Sequence, residues 1–261
     1  MSFALLQKAC TNCRPSSVRT YWANIKALAR LAGREDVPST GSWLSAKLLK
    51  RVLAEPLNRA KRFATAGVKA AQMYKIKRPG WVQAMSSVTD KYASQRRSGK
   101  RTAREAQNWP TGGYEALAKL ARELHSEVQV LESRQQWNTK DLYHYQRYLI
   151  VLFYSKHALR GDLADVRIKA PWAQNFLKKT GGSYTLHIGT HKTSRAHGAI
   201  QIRLQDSLRK ALDVFLPQAL RLTDHGFLLS TLRGANKLKR QDMLRLIRNV
   251  TRDRLGKNIG V

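Results

Sequence analysis

At 261 residues the chain is long enough for two domains, each burying a core, and its 48 Lys and Arg against 17 Asp and Glu leave a formal charge of +31. That surplus goes beyond what solubility requires and would make a compact fold repel itself, so it calls for a polyanionic partner, nucleic acid foremost. No run reaches the roughly 18 apolar residues that span a bilayer, which excludes an integral helix and leaves the expectation of a soluble, intracellular protein without a membrane partner.

The surplus is shared by both halves. Residues 1–130 carry 24 basic and 8 acidic side chains, and residues 131–261 carry 24 and 9, so both are expected to touch the polyanion. The first 34 residues hold no acid, a faint likeness to a transit peptide. However, Val18, Tyr21, Trp22, Ile25, Leu28, Ala29 and Ala32 already recur at helical spacing there, with Ser16 and Ser17 before them and Gly33 after. Cys10 and Cys13 are the chain's two cysteines. Without a second Cys or His pair they cannot complete a zinc site, and they are read as a reduced pair.

A second helix is expected over Trp43–Leu53, a third over Leu57–Tyr74, and a fourth opening at Pro79 and carrying Trp81, Val82, Met85, Val88 and Tyr92. Residues 1–94 thus read as a four-helix domain. Over 95–104 the apolar period stops and Arg96, Arg97, Lys100, Arg101 and Arg104 cluster around Ser98 and Gly99, a basic linker suited to lying along a phosphate backbone. Residues 105–261 form the second domain. It holds helical patterns from Tyr114 to Leu131 and from Leu142 to Phe153 behind an Asn138 cap. Two alternating runs follow, Tyr184, Leu186, Ile188 and Ile200, Ile202, Leu204, with a turn at Arg195–Gly198. Further helices lie over Leu208–Leu216 and Met243–Leu255. The expected class is mainly α with a small β-sheet.

After the Leu142 helix comes Leu159, Arg160, Gly161, Asp162, Leu163, and the hairpin then holds Thr190, His191, Lys192 and Thr193. This order resembles the tyrosine recombinase, or integrase, family. There an "LR-x-D-L" or "LR-x-x-E-L" phrase after a helix precedes a three-stranded sheet whose second hairpin bears a lysine. A helix, a short "F-L" strand like Phe227-Leu228 and a further helix like the one ending at Gly256 then follow. The short spacing from Arg160 to Asp162 and the ending Gly256-Lys257-Asn258-Ile259-Gly260-Val261 are most similar to Crypton-type and large-DNA-virus recombinases. The resemblance spans residues 105–261. It extends softly to the first domain, where Ser17-Val18-Arg19-Thr20-Tyr21 looks like the start of a helical core-binding domain that clamps duplex DNA.

The resemblance implies DNA recombination, with Arg160 and Lys192 as catalytic residues and no cofactor. Arg160 suits the non-bridging phosphate oxygens because its planar fork never loses its charge. Lys192 suits proton donation to the leaving 5′ oxygen, and Asp162 would orient Arg160. His191 and Arg195 join the linker cations as DNA contacts. His187 and His191, read as one strand face with about 13 Å between them, are too far apart to share a metal.

The family continues into a His-x-x-Arg motif and a nucleophilic tyrosine, whereas the last tyrosine here is Tyr184. The expected catalytic domain is therefore incomplete for strand cleavage over these residues. A homo-oligomer on DNA, in the nucleus or another DNA-containing compartment, fits this reading. The alternative is a structural nucleic-acid-binding protein, such as an organellar ribosomal component, for which the same charge is natural. Neither a Ser-His-Asp arrangement nor ligand-spaced carboxylates suggest a hydrolase.

Overall fold

The computed structural model describes residues 3–157, 159, 161–168, 174–191 and 194–259, except the side chains of Arg104, Arg195 and Ala196. Over these residues the chain is mainly helical with a small three-stranded antiparallel sheet. It divides into two compact units, Met1–Arg101 and Thr102–Val261.

Among the described residues the first unit has five α-helices rather than four: α1 (Phe3–Ala9), α2 (Pro15–Leu31), α3 (Ala46–Leu53), α4 (Leu57–Met73) and α5 (Pro79–Arg97). Helix α1 escapes the apolar period because Leu6 alone is buried on its seven residues. Helix α2 opens at Pro15, whose fixed φ suits a first turn, so Arg14 holds the cap position instead of the expected serines. The Ser45 hydroxyl accepts from the Leu48 amide and starts α3 at Ala46, leaving Gly41–Trp43 as a 3₁₀ turn. Ile25, Leu28, Val52, Phe63 and Trp81 meet in the core. Helices α4 and α5 approach closely because position 67 has no side chain. A Cβ on Gly67 would lie 2.0 Å from the Trp81 ring, whose indole N–H donates to the Leu44 carbonyl. Helix α5 continues to Arg97, so the first three residues of the expected linker are helical.

The second unit opens with Thr102 and Glu105 in a reciprocal capping box that starts α6 (Ala103–Asn108). Next come α7 (Tyr114–Glu132) and α8 (Thr139–Lys156), the latter capped by Asn138, whose side chain accepts from the Lys140 and Asp141 amides. A 3₁₀ turn, Gly161–Asp165, leads toward the sheet of β1 (Asn175–Thr180), β2 (Ser183–Ile188) and β3 (Ile200–Arg203). Strand β2 is central and buries Tyr184, Leu186 and Ile188, the alternation visible in its sequence. Strand β1, unmarked by any alternation, pairs with it through a Gly181–Gly182 turn with both φ positive, the geometry that matches strand twist. A one-turn helix, α9 (Ser194–His197), replaces the simple turn expected between β2 and β3. Helices α10 (Asp206–Leu222) and α11 (Arg240–Leu255) close the unit, α11 ending at Gly256 with φ +61°. The core centres on α8, whose Tyr145, Leu149 and Phe153 pack in one cluster with Leu186, Leu212, Phe215 and Ile247.

Candidate nucleic-acid interface

The 3₁₀ turn after α8 carries the densest polar arrangement described. Asp162 is 5% exposed, and its carboxylate accepts from Arg240 Nη2 at 2.7 Å. The same Nη2 reaches Asp165 at 3.0 Å, and Lys237 Nζ donates to the other Asp165 oxygen at 3.0 Å. Gly161 makes the approach possible, since a Cβ there would sit 2.5 Å from Arg240 Cγ. Arg240 is the first residue of α11, so these ion pairs lock that helix onto the turn that follows position 160. Asp162, expected to orient Arg160, has Arg240 as its ion-pair partner among the described residues. Arg160 and Lys192 themselves lie outside the described residues.

Two more cations complete the group. Arg167 lies over the Phe227 ring at 4.1 Å and Lys237 over the same ring at 4.6 Å. The backbone fixes both partners: the Arg167 carbonyl accepts from the Leu177 amide, the Ile168 amide donates to the Gly226 carbonyl, and the Leu228 amide donates to the Val166 carbonyl. Val166–Ile168 thus bridges β1 and the segment containing Phe227. Three cations face two carboxylates, leaving one positive charge in excess. Arg240 keeps 46% of its side chain exposed, and its Nη1 and Nε have no protein acceptor among the described residues. A guanidinium anchored on one nitrogen and open on the others is pre-oriented for an outside oxyanion.

The neighbouring titratable groups are not additional cations. Burial above all, and then the Asp162 carboxylate, pushes the Tyr154 phenol far up, so it stays protonated. Burial, reinforced by Lys156, pushes His157 down, and its buried Nε2 finds no hydrogen-bond partner among the described residues. The other phenols of the core behave likewise. Burial drives Tyr145 up, Tyr148 is pushed up to about 12, and Tyr184, raised by burial and by its hydrogen bond to Asp213, donates to that carboxylate at 2.8 Å. These are packed, protonated tyrosines and not activated nucleophiles.

The loop that contains position 192 is anchored at both ends. Asn175, 5% exposed, exchanges two hydrogen bonds with the Thr190 backbone, and the Gly189 amide donates to the Gln174 carbonyl. His191 Nε2 donates to the Gly198 carbonyl at 2.8 Å, while the His191 carbonyl accepts from the Ser194 amide and hydroxyl. The reading of His187 and His191 as one strand face is corrected here. Strand β2 ends at Ile188, His187 stacks on Phe176 across the β1–β2 pair, and His191, 8% exposed, lies beyond the strand and closes the loop onto Gly198.

Among the remaining expected contacts, Arg96, Arg97, Lys100 and Arg101 are exposed at the end of α5 and just beyond it. The side chains of Arg104 and Arg195 lie outside the description. Two groups were missed by sequence reasoning: the Arg167–Lys237–Arg240 cluster, and the exposed Arg245, Arg248 and Arg252 on α11. The second had a signal, an i, i+3, i+7 arginine spacing opposite the inward-facing Leu246, Ile247 and Val250. The first had none, because Arg240 meets its anchor Asp162 across 78 residues of sequence.

Among the described residues no group of three or more His, Cys, Asp or Glu could hold a metal ion, and Cys10 and Cys13 are free thiols. No helix described is long and apolar enough to cross a membrane. No protein-family model matches the chain, and no curated protein matches it.

Proposed function

We propose that the chain binds duplex DNA and that Thr102–Val261 is built on the plan of a tyrosine recombinase catalytic domain, with DNA recombination or integration as its setting. The observation that carries this reading is the carboxylate-anchored cluster of Arg240, Lys237 and Arg167 packed on the turn directly after Arg160. It holds a half-exposed guanidinium beside the position to which the resemblance assigns phosphate binding. The element order supports the reading too: helix, turn, three antiparallel strands with a loop holding Lys192 before β3, helix, a Phe227-Leu228 segment, helix. In this arrangement Arg160 and Arg240 share the charge of one phosphate, Lys192 is the proton donor and Asp162 the anchor. The exposed arginines of α11 and the α5 end contact the flanking backbone.

A second reading, a structural nucleic-acid-binding protein, is favoured by the exposed arginines that each unit carries besides this cluster, Arg96 and Arg97 in the first and Arg245, Arg248 and Arg252 in the second. Titrating a labelled 30-base-pair duplex against Arg160→Ala, Arg240→Ala and the ion-paired Arg209→Ala separates the two. Losses of about tenfold or more at 160 and 240, against less than about threefold at 209, are expected for a focused phosphate site. Equal losses at all three would leave only a diffuse basic surface.

A further inference from the structure

The second unit has a cleft unrelated to the cluster above. It holds about 420 Å³ between α7, α8 and α10. Its floor is small and apolar: Ala118 and Ala121 of α7, Leu152 of α8, Ala211 and Val214 of α10. On α10 and α8 the lining residues recur about every three to four positions, so each helix presents one continuous face to the cleft. On α7 the lining runs continuously from Ala118 to His125, about 10 Å or roughly two helical turns, and Glu132 joins it through its contact with His125. Arg122, Lys156 and Lys210 stand at its rim, all exposed. The single carboxylate of the lining, Glu132, is already engaged by the Tyr145 hydroxyl and by His125, which stacks on Tyr148. Arg122 pairs with Glu115 at 3.4 Å, so the cleft is an apolar trough whose rim takes its net positive charge from Lys156 and Lys210.

We infer that this cleft docks an acidic amphipathic helix of a partner protein. Volume fits a few aliphatic side chains from one helical face, and the trough length fits roughly two turns of a helix laid along α7. Charge selects among occupants. A second copy of a chain at +31 brings the wrong sign to a cationic rim, and duplex DNA, whose apolar groups in the grooves are isolated thymine methyls, offers no row of aliphatic side chains to fill a floor of Ala, Leu and Val. A helix with leucines at i, i+3/i+4, i+7 and glutamates on its flanks satisfies both floor and rim. Through it a DNA-bound chain would recruit another protein on a surface that its own DNA contacts leave free.

The test uses the full chain and a fluorescein-labelled 16-residue peptide of leucine and glutamate patterned to one helical face, with a scrambled peptide of identical composition beside it. Anisotropy is expected to rise with the patterned peptide and at least tenfold less readily with the scrambled one. Lys156→Glu with Lys210→Glu, and separately Ala118→Glu, are each expected to weaken binding at least tenfold. Arg245→Glu with Arg248→Glu, the same charge change on α11, leaves it within about twofold while weakening duplex binding. Equal binding of the two peptides, equal loss in both charge-reversed pairs, or displacement of the peptide by duplex DNA overturns the inference. So does a Lys156→Glu, Lys210→Glu variant that alters only self-association in sedimentation, which would assign the cleft to a second copy. Because both lysines are exposed, that variant reports on the cleft even where Ala118→Glu fails to fold.

Discussion

Gln146 and Ser230 exchange a reciprocal pair of hydrogen bonds. The Gln146 amide donates to the Ser230 carbonyl at 3.0 Å and its side-chain oxygen accepts from the Ser230 amide at 2.8 Å, both residues being buried. A side chain on α8 thus takes the place of a neighbouring strand for the segment that carries Phe227. The cations resting on that ring depend on the same pairing, so the site is anchored from within the core.

Replacing Gln146 by Leu leaves the Ser230 amide and carbonyl buried without partners. An unmet buried group costs about 1–3 kcal/mol, so the loss from the two should fall near 2–6 kcal/mol in total. Urea denaturation followed by far-UV circular dichroism should register it as a lower midpoint at an unchanged slope. A change below about 0.5 kcal/mol would mean the segment finds other partners.

Arg240→Ala strands the Asp162 carboxylate in a buried position. Because the arginine is half exposed, the expected cost is moderated to about 1–3 kcal/mol. Gly161→Ala should act on the same contact by pushing Arg240 aside. Its effect on stability and DNA affinity should then be largely absent in an Arg240→Ala background, and full additivity in that double-mutant cycle contradicts the packing described.

Duplex binding should weaken roughly a hundredfold or more between about 50 and about 200 mM salt, as expected when four or more phosphates are neutralised. Removing Arg245 and Arg248 together should flatten the slope of log K against log salt by about 2. An affinity indifferent to salt would remove nucleic-acid phosphate as the partner of this charge.

The Lys179 ammonium and the Tyr184 hydroxyl hold the Asp213 carboxyl below its ordinary value of 3.8, and Asp213 in turn holds Lys179 above its ordinary 10.5. A depressed carboxyl stabilises the fold above its unfolded pKa, and that contribution disappears as pH falls through the lower folded value. A raised ammonium contributes below its unfolded pKa and loses the contribution as pH rises through the higher folded one. Asp213→Asn should therefore flatten both limbs of a plot of Tm against pH, below 3.8 and above 10.5, while leaving the difference between pH 5 and 8 unchanged.

What sequence could reveal depended on how local the cause was. Asn138 with Asp141, Pro79 and Gly256 announce helix ends because caps and fixed φ values act over three or four residues. Tyr184, Leu186 and Ile188 announce β2 because one face of that strand is buried. Strand β1 gave no such sign, since Leu177 is its one buried apolar side chain, the buried Asn175 before it is polar, and Lys178, Lys179 and Thr180 are exposed. The site was half visible. Asp162 stood out beside Arg160, but its pairing with Arg240 depends on how α11 folds back, which no spacing encodes.

The contact between Gly67 and Trp81 makes the first unit asymmetric toward mutation. Any side chain at 67 evicts an indole that fills the gap between two helices and also holds the Leu44 carbonyl, so a single inherited change there cannot be absorbed by a neighbour's rotamer. A second change, shrinking Trp81, would be needed at once and would itself leave a void. The two positions can therefore change only together, and lineages carrying this fold should hold the pair or abandon the packing altogether.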